Sequence, residues 1–163
     1  MVPAAYLAYM IASTSAAGAL IGLLFVSIAL RPDDIFGPDA PVRARALAQS
    51  SFTGLANAFS VSLLAIVPHD NVGYSAAVVA VICLINTVRL HKRLRHVEYL
   101  ILLISSVAYL VQFGAGIDLI ARPHDTSMLA NVCYLIFTSF AIALTRVWVL
   151  IQGNVSDTHD RRS

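Results

Sequence analysis

The sequence predicts an all-α integral membrane protein with five transmembrane helices, and three observations carry that expectation. First, 58% of its 163 residues are hydrophobic and only 12% charged, whereas charged residues make up about a quarter of a soluble domain. Second, the charges gather in short stretches. They leave apolar runs of roughly 20 residues, the length that crosses a bilayer core, and raise the mean hydropathy to +0.77. Third, the chain repeats itself. A shift of fifty-five positions puts Ser50-Ser51 on Ser105-Ser106, Leu55 on Leu110, Asn57 on Gln112, and Pro68-His69-Asp70 on Pro123-His124-Asp125. Each copy is an apolar run, the same tripeptide, and another apolar run, which reads as a duplicated helical hairpin. The chain is thus expected to be a first helix followed by two hairpins of the same orientation, all in one membrane domain over residues 1–153.

The first span is expected over residues 5–30. It lacks a cationic segment ahead of it and is longer than a signal-peptide core, so it reads as a retained helix. Ala8, Ala12, Ser15, Gly18, Ala19, Gly22 and Ala29 fall on one face of it. Small residues let helix backbones approach in lipid, so this face is expected to pack within the chain or, less simply, against a second copy. Arg31-Pro32 ends the span, because proline cannot continue a helix without losing a hydrogen bond. Residues 31–45 read as a loop with turn chemistry at Pro38-Asp39-Ala40-Pro41, from which Ile35 and Phe36 dip into the membrane interface.

The second span is expected over 46–67, stopped by Pro68. Gln49, Thr53, Asn57 and Ser60 share one narrow face of it. Polar groups are costly against lipid, so the stripe must face protein or water. The third span is expected over 73–90. It leads to the densest basic cluster, His91-Lys92-Arg93-Leu94-Arg95-His96. Lys92, Arg93 and Arg95 are candidate contacts for anionic lipid headgroups, although basic residues at a helix end also serve simply as the topology signal. The fourth span is expected over 97–121, with Asp118 and Arg122 at ion-pair spacing near its end. The fifth covers 128–151, and 154–163 reads as a polar tail without fixed structure.

Five spans put the termini on opposite sides. Arg31, Arg43, Arg45, Arg89, Lys92, Arg93, Arg95, Arg161 and Arg162 then share one side, with Arg122 opposite. Positive residues accumulate on the cytoplasmic side. The expectation is therefore a protein of the cell membrane with its N-terminus outside and its C-terminus in the cytoplasm. Arg146 and Trp148 should sit near the inner interface, with Arg146 snorkelling toward headgroups.

Several function classes are excluded at this level. A net charge of +2, with the basic residues beside spans, does not suit nucleic acid. Cys83 and Cys133 lie in apolar runs without CxxC spacing and read as spectator thiols. No histidine pair for haem, nucleotide-binding loop or Ser/His/Asp set is evident, so neither a cofactor nor enzymatic activity is expected. Two outer Pro-His-Asp loops make His69, Asp70, His124 and Asp125 a candidate cation site, against the simpler reading that proline stops one helix and aspartate caps the next. Asn57 and Gln112 coincide under the repeat and either bond across it or line a hydrated path. The leading expectation is a homo-oligomeric channel or passive permeation module lined by Gln49, Thr53, Asn57, Ser60 and Gln112. The alternative is a non-conducting interaction or accessory subunit in which the same residues are packing. The discriminating observable is whether the stripe touches water or protein.

Overall fold

The structure is a computed structural model. It describes residues 3–30, 32–38, 40–67, 72–91, 99–122 and 126–160, with backbone only for 91, 99–102 and 151–160. Among the described residues every element is a helix: α1 (Ala4–Leu30), α2 (Pro32–Phe36), α3 (Val42–Ile66), α4 (Val72–His91), α5 (Tyr99–Ala121) and α6 (Thr126–Asp160). Four stretches are long and apolar enough to cross a membrane: Ala4–Leu30, Val72–Leu90, Leu103–Ala121 and Thr126–Leu150. The chain thus has the several apolar helices that suit a membrane protein. The helix missing from this group is α3, which is long enough but carries arginines, serines and amides along its length.

That polarity places α3. A helix too polar for lipid must be covered by others, and α3 packs against α1, α4 and α6. Its glycine, alanines and serines let those neighbours come close: a side chain on Gly54 would lie 3.3 Å from Ala143 Cβ. The remaining contacts are α4 with α5 and α5 with α6, which close α3–α4–α5–α6 into a ring with α1 on its outside. α3 and α5 are therefore diagonal. Neighbours in the ring run antiparallel, as the pairing of Gly73 with Gly116 and Ile120 shows for α4 and α5.

Three local expectations are corrected. The small-residue face of α1 is not the buried one: Ala8, Ala12, Ser15, Gly18, Ala19, Gly22 and Ala29 are all exposed, and only Gly18 among the glycines of this face passes near another helix, at Phe59. The buried face is Met10, Ser13, Ala17 and Leu24 instead, a mixture of large and small side chains. The 31–45 loop is shorter than expected. Pro32 opens a turn of helix whose first residues, Asp33 and Asp34, suit the positive end of its dipole. Ile35 is buried with Ala44, Leu47 and Leu150 rather than dipping into the interface, while Phe36 is exposed. Arg45, already inside α3, donates from Nε to Ile35 O at 3.4 Å and from Nη2 to Gly37 O at 3.3 Å, tying off α2. Finally, α6 continues as helix to Asp160, so most of the tail expected to lack structure is a prolongation of that helix.

Asp118 and Arg122 are both exposed, and the contact between them is from backbone amide to carbonyl at 2.9 Å. The 154–163 tail beyond Asp160, the basic residues Lys92, Arg93 and Arg95, and His69, Asp70, His124 and Asp125 lie outside the residues described in side-chain detail.

Candidate functional site

The bundle interior divides into two halves. Toward the α3–α4 turn it is mostly apolar: Val61, Ala65, Leu119, Leu129, Val132 and Ile136 belong to one buried cluster, with the buried hydroxyls of Ser62 and Ser75 beside it. Toward the opposite end it carries a seam of polar side chains, and the seam begins near the middle of the helices at Asn57.

Asn57 on α3 is 0% exposed and Gln112 on α5 is 2% exposed. Their carboxamides bond reciprocally across the ring. Asn57 Nδ2 donates to Gln112 Oε1 at 2.8 Å, and Gln112 Nε2 donates to Asn57 Oδ1 at 2.9 Å. The second hydrogen on each nitrogen is also used. Asn57 Nδ2 reaches Ser139 Oγ of α6 at 3.1 Å, and Gln112 Nε2 reaches Ala76 O of α4 at 3.2 Å. All four ring helices thus meet at one amide pair, and neither carboxamide keeps an N–H to offer a solute. Cys83 Sγ approaches Asn57 Oδ1 at 3.9 Å and Thr53 O at 4.0 Å, adding a weak contact from α4.

A second polar layer lies seven residues away on three helices, about 10 Å along the axis at the usual helical rise. Ser50 precedes Asn57 by seven, Ser105 precedes Gln112 by seven, and Arg146 follows Ser139 by seven. All three are buried. Arg146 is 5% exposed and donates from Nη2 to Ser105 Oγ, joining α6 to α5. Tyr109, also buried, belongs to the same buried cluster as Cys83. Thr87 of α4 is buried and bonds its own helix at Cys83 O, 2.8 Å away. Arg146 therefore does not snorkel as expected: it turns into the bundle, while Trp148 faces outward. A charged side chain in a span marks a place where protein groups must compensate it.

Comparison with protein-family models, with curated proteins and with solved structures finds no match. The site is read from its own chemistry.

The expected stripe is not uniform. Asn57 is fully enclosed, Thr53 and Ser60 are half-buried, and Gln49 is exposed. Thr53 Oγ1 bonds back to Gln49 O at 2.9 Å. The structure brings together Asn57 and Gln112, which the repeat had paired, and adds Ser139, Ser105, Tyr109 and Arg146. Sequence reasoning missed those four. The signal available was the seven-residue spacing, which puts Ser105 with Gln112 and Ser139 with Arg146 on single helix faces. Cys83 and Cys133 are free thiols, the first buried and the second half-buried.

Proposed function

We propose that this chain is a non-conducting membrane interaction or accessory protein of the cell membrane, in which the Asn57–Gln112 pair is a packing device. One observation carries the choice. The two amides bond each other reciprocally, with every N–H of both occupied by protein. A permeant ion or solute at this level would have to break that pair, and the apolar half of the bundle would still lie beyond it. The channel reading needs a path between subunits instead, and the buried amides give it no lining.

The proposal includes five spans, with α3 as the fifth, the N-terminus outside, and Lys92, Arg93 and Arg95 available to anionic headgroups on the cytoplasmic side. It also includes the internal repeat. The ring geometry supports this reading: exchanging α3 with α5 and α4 with α6 carries each packed pair of the ring onto another packed pair. The exchange also carries Asn57 onto Gln112, so the reciprocal amides would straddle a pseudo-twofold axis along the bundle.

The test is flux through purified protein in liposomes across cations, anions and small neutral solutes. The expected result is none, with or without Asn57→Leu. Flux from the wild type that Asn57→Leu abolishes would overturn the reading in favour of a channel.

A further inference from the structure

We infer that the outer groove between α3 and α4, at the end where Gln49 and Arg89 stand, binds one anionic glycerophospholipid by its phosphate and an acyl-ester carbonyl. This rests on the five-span part of the reading above, because α3 must cross the bilayer for the groove to open onto lipid. It is independent of whether the chain conducts. α4 follows α3 through a short turn and runs antiparallel to it. Cys83 of α4 lies level with Thr53 and Asn57, 4.0 Å from Thr53 O and 3.9 Å from Asn57 Oδ1. Three and six residues further on, Asn86 and Arg89 therefore come level with the turn of α3 that runs from Thr53 back to Gln49.

The two helices turn these residues to the same side. Gly73 and Ala77 are the residues of α4 that meet α5 most closely. With about 3.6 residues per turn, the stripe Ser75, Val79, Ile82, Asn86 and Arg89 lies opposite them. Ser75 and Val79 are buried, whereas Ile82, Asn86 and Arg89 are exposed. The stripe is thus covered toward the α3–α4 turn and uncovered toward the other end. On α3, Gln49 is exposed, and Thr53, Ala56 and Ser60 on the same face are half-buried. That face borders α4 at Thr53 and leaves α1 to Leu55 and Phe59 around the helix.

What the groove offers is donors. No acceptor among the described residues takes the side-chain N–H groups of Gln49, Asn86 or Arg89. Thr53 spends its hydroxyl proton on Gln49 O, and Arg45, one turn nearer the helix end, is turned to the Ile35 and Gly37 carbonyls. Neither 40–69 nor 71–97 contains an Asp or Glu, and Asp33 and Asp34 of α2 form no ion pair among the described residues. A guanidinium and two amides without a counter-charge suit an acceptor-rich anion. Depth makes that anion a lipid. Val72–Leu90 is the apolar stretch of α4, so Arg89 stands at its edge and Asn86 about 4.5 Å deeper at the usual helical rise. A phospholipid presents its phosphate at the outer level and its ester carbonyls at the inner one. Arg89 and Gln49 hold the phosphate, Asn86 donates to an ester carbonyl, and the acyl chain runs on past Ala56 and Ser60. Polar groups on the outside of a span need such partners. Soluble phosphate would supply the outer contact alone.

Lipid retention by the purified protein tests the site. In detergent with equal amounts of phosphatidylglycerol and phosphatidylcholine of the same acyl chains, native mass spectrometry should find phosphatidylglycerol retained in preference. Arg89→Gln should lower that preference about fivefold, the effect of one arginine at an anionic surface. Arg43→Gln removes an equal charge at the same end but on another face of α3, and should leave the preference unchanged. Asn86→Leu should weaken both lipids alike, because the ester is common to them. These side chains are exposed, so thermal unfolding should not move. Equal losses from Arg89→Gln and Arg43→Gln would mean diffuse attraction and overturn the site. So would displacement of the lipid by excess inorganic phosphate, which would mean a site for a free anion. Asn86→Cys that links to itself between copies, in a variant without native cysteines, would put a second chain in the groove and overturn it as well. Labelling of Pro3→Cys and Ser163→Cys from each side of the membrane separates the failures. With the two on opposite sides, a lost preference strikes the site alone; with both on one side, the five-span reading falls and the site with it.

Discussion

Asn57 and Gln112 are the residues on which the reading turns, and their value lies in being matched. A carboxamide in a membrane interior is tolerable only with partners, and here each amide is the other's main partner. Hydrogen bonds between membrane helices contribute about 0.6 kcal/mol on average. Removing one partner costs more, because the remaining buried amide is left unsatisfied. Asn57→Leu and Gln112→Leu should each destabilise the bundle by about 1–2 kcal/mol. The double variant should lose less than their sum, by about 1 kcal/mol of coupling. Reversible unfolding of the four proteins in mixed micelles would measure this, and strict additivity would mean that the pair is not a unit. Arg146 makes the same point with charge: its place beside Ser105 is a property of the folded bundle.

At the scale of elements, the closest approach is between α4 and α5. A side chain on Gly116 would lie 2.8 Å from Ala77 N and 2.9 Å from Gly73 O, and one on Gly73 would lie 2.7 Å from both Gly116 O and Ile120 N. These neighbours are backbone atoms, which cannot swing aside. Gly116→Val must therefore push the helices apart, at about 1–3 kcal/mol for overpacking. Gly114, two residues away on the same helix, has open space beside it. Gly114→Val should change monomer stability by no more than about 0.5 kcal/mol in detergent, as surface substitutions usually do. The two variants differ only in which side of α5 they load, so equal effects would contradict the α4–α5 contact. Arg45 serves the connection between α1 and α3 through the Ile35 and Gly37 carbonyls, and Arg45→Met should cost on the order of 1 kcal/mol.

For the whole molecule, the arrangement of polarity matters more than any single group. α3 is the helix least suited to lipid and the one most surrounded, while α1 is mostly uncovered. The buried amides and the buried arginine lie from the middle of the bundle toward one end, among apolar clusters, while the other end is mostly apolar. On the proposed topology, with the N-terminus outside, the half that carries the buried polar groups lies toward the cytoplasm. Ser163→Cys, in a variant without native cysteines, should react with a membrane-impermeant thiol reagent only from the cytoplasmic side. Reaction from outside would invert the molecule. An experimental structure in lipid should also superpose residues 50–90 on 105–146 in the same orientation, and an inverted relation would remove the repeat.

Much of this was determined by the sequence alone. Apolar runs of bilayer length specify membrane helices, because the bilayer imposes one length and one way of satisfying the backbone. The helix ends near Leu30, Ile66, Leu90 and Ala121 follow from proline and charge. The coincidence of Asn57 with Gln112 under the fifty-five-residue shift was visible as well, with a bond between them and a hydrated path both left open. Only the tertiary structure decided which way each polar group turned. Small residues are compatible with close packing without requiring it, so the face of α1 that looked made for contact is left bare, and Met10 and Leu24 take the inside. Arginine near the end of a span can reach headgroups or turn inward, and Arg146 turns inward, where it donates to Ser105. A polar stripe means water or protein equally in one dimension. The partners that closed it came from α4, α5 and α6, helices distant in sequence and adjacent only once folded.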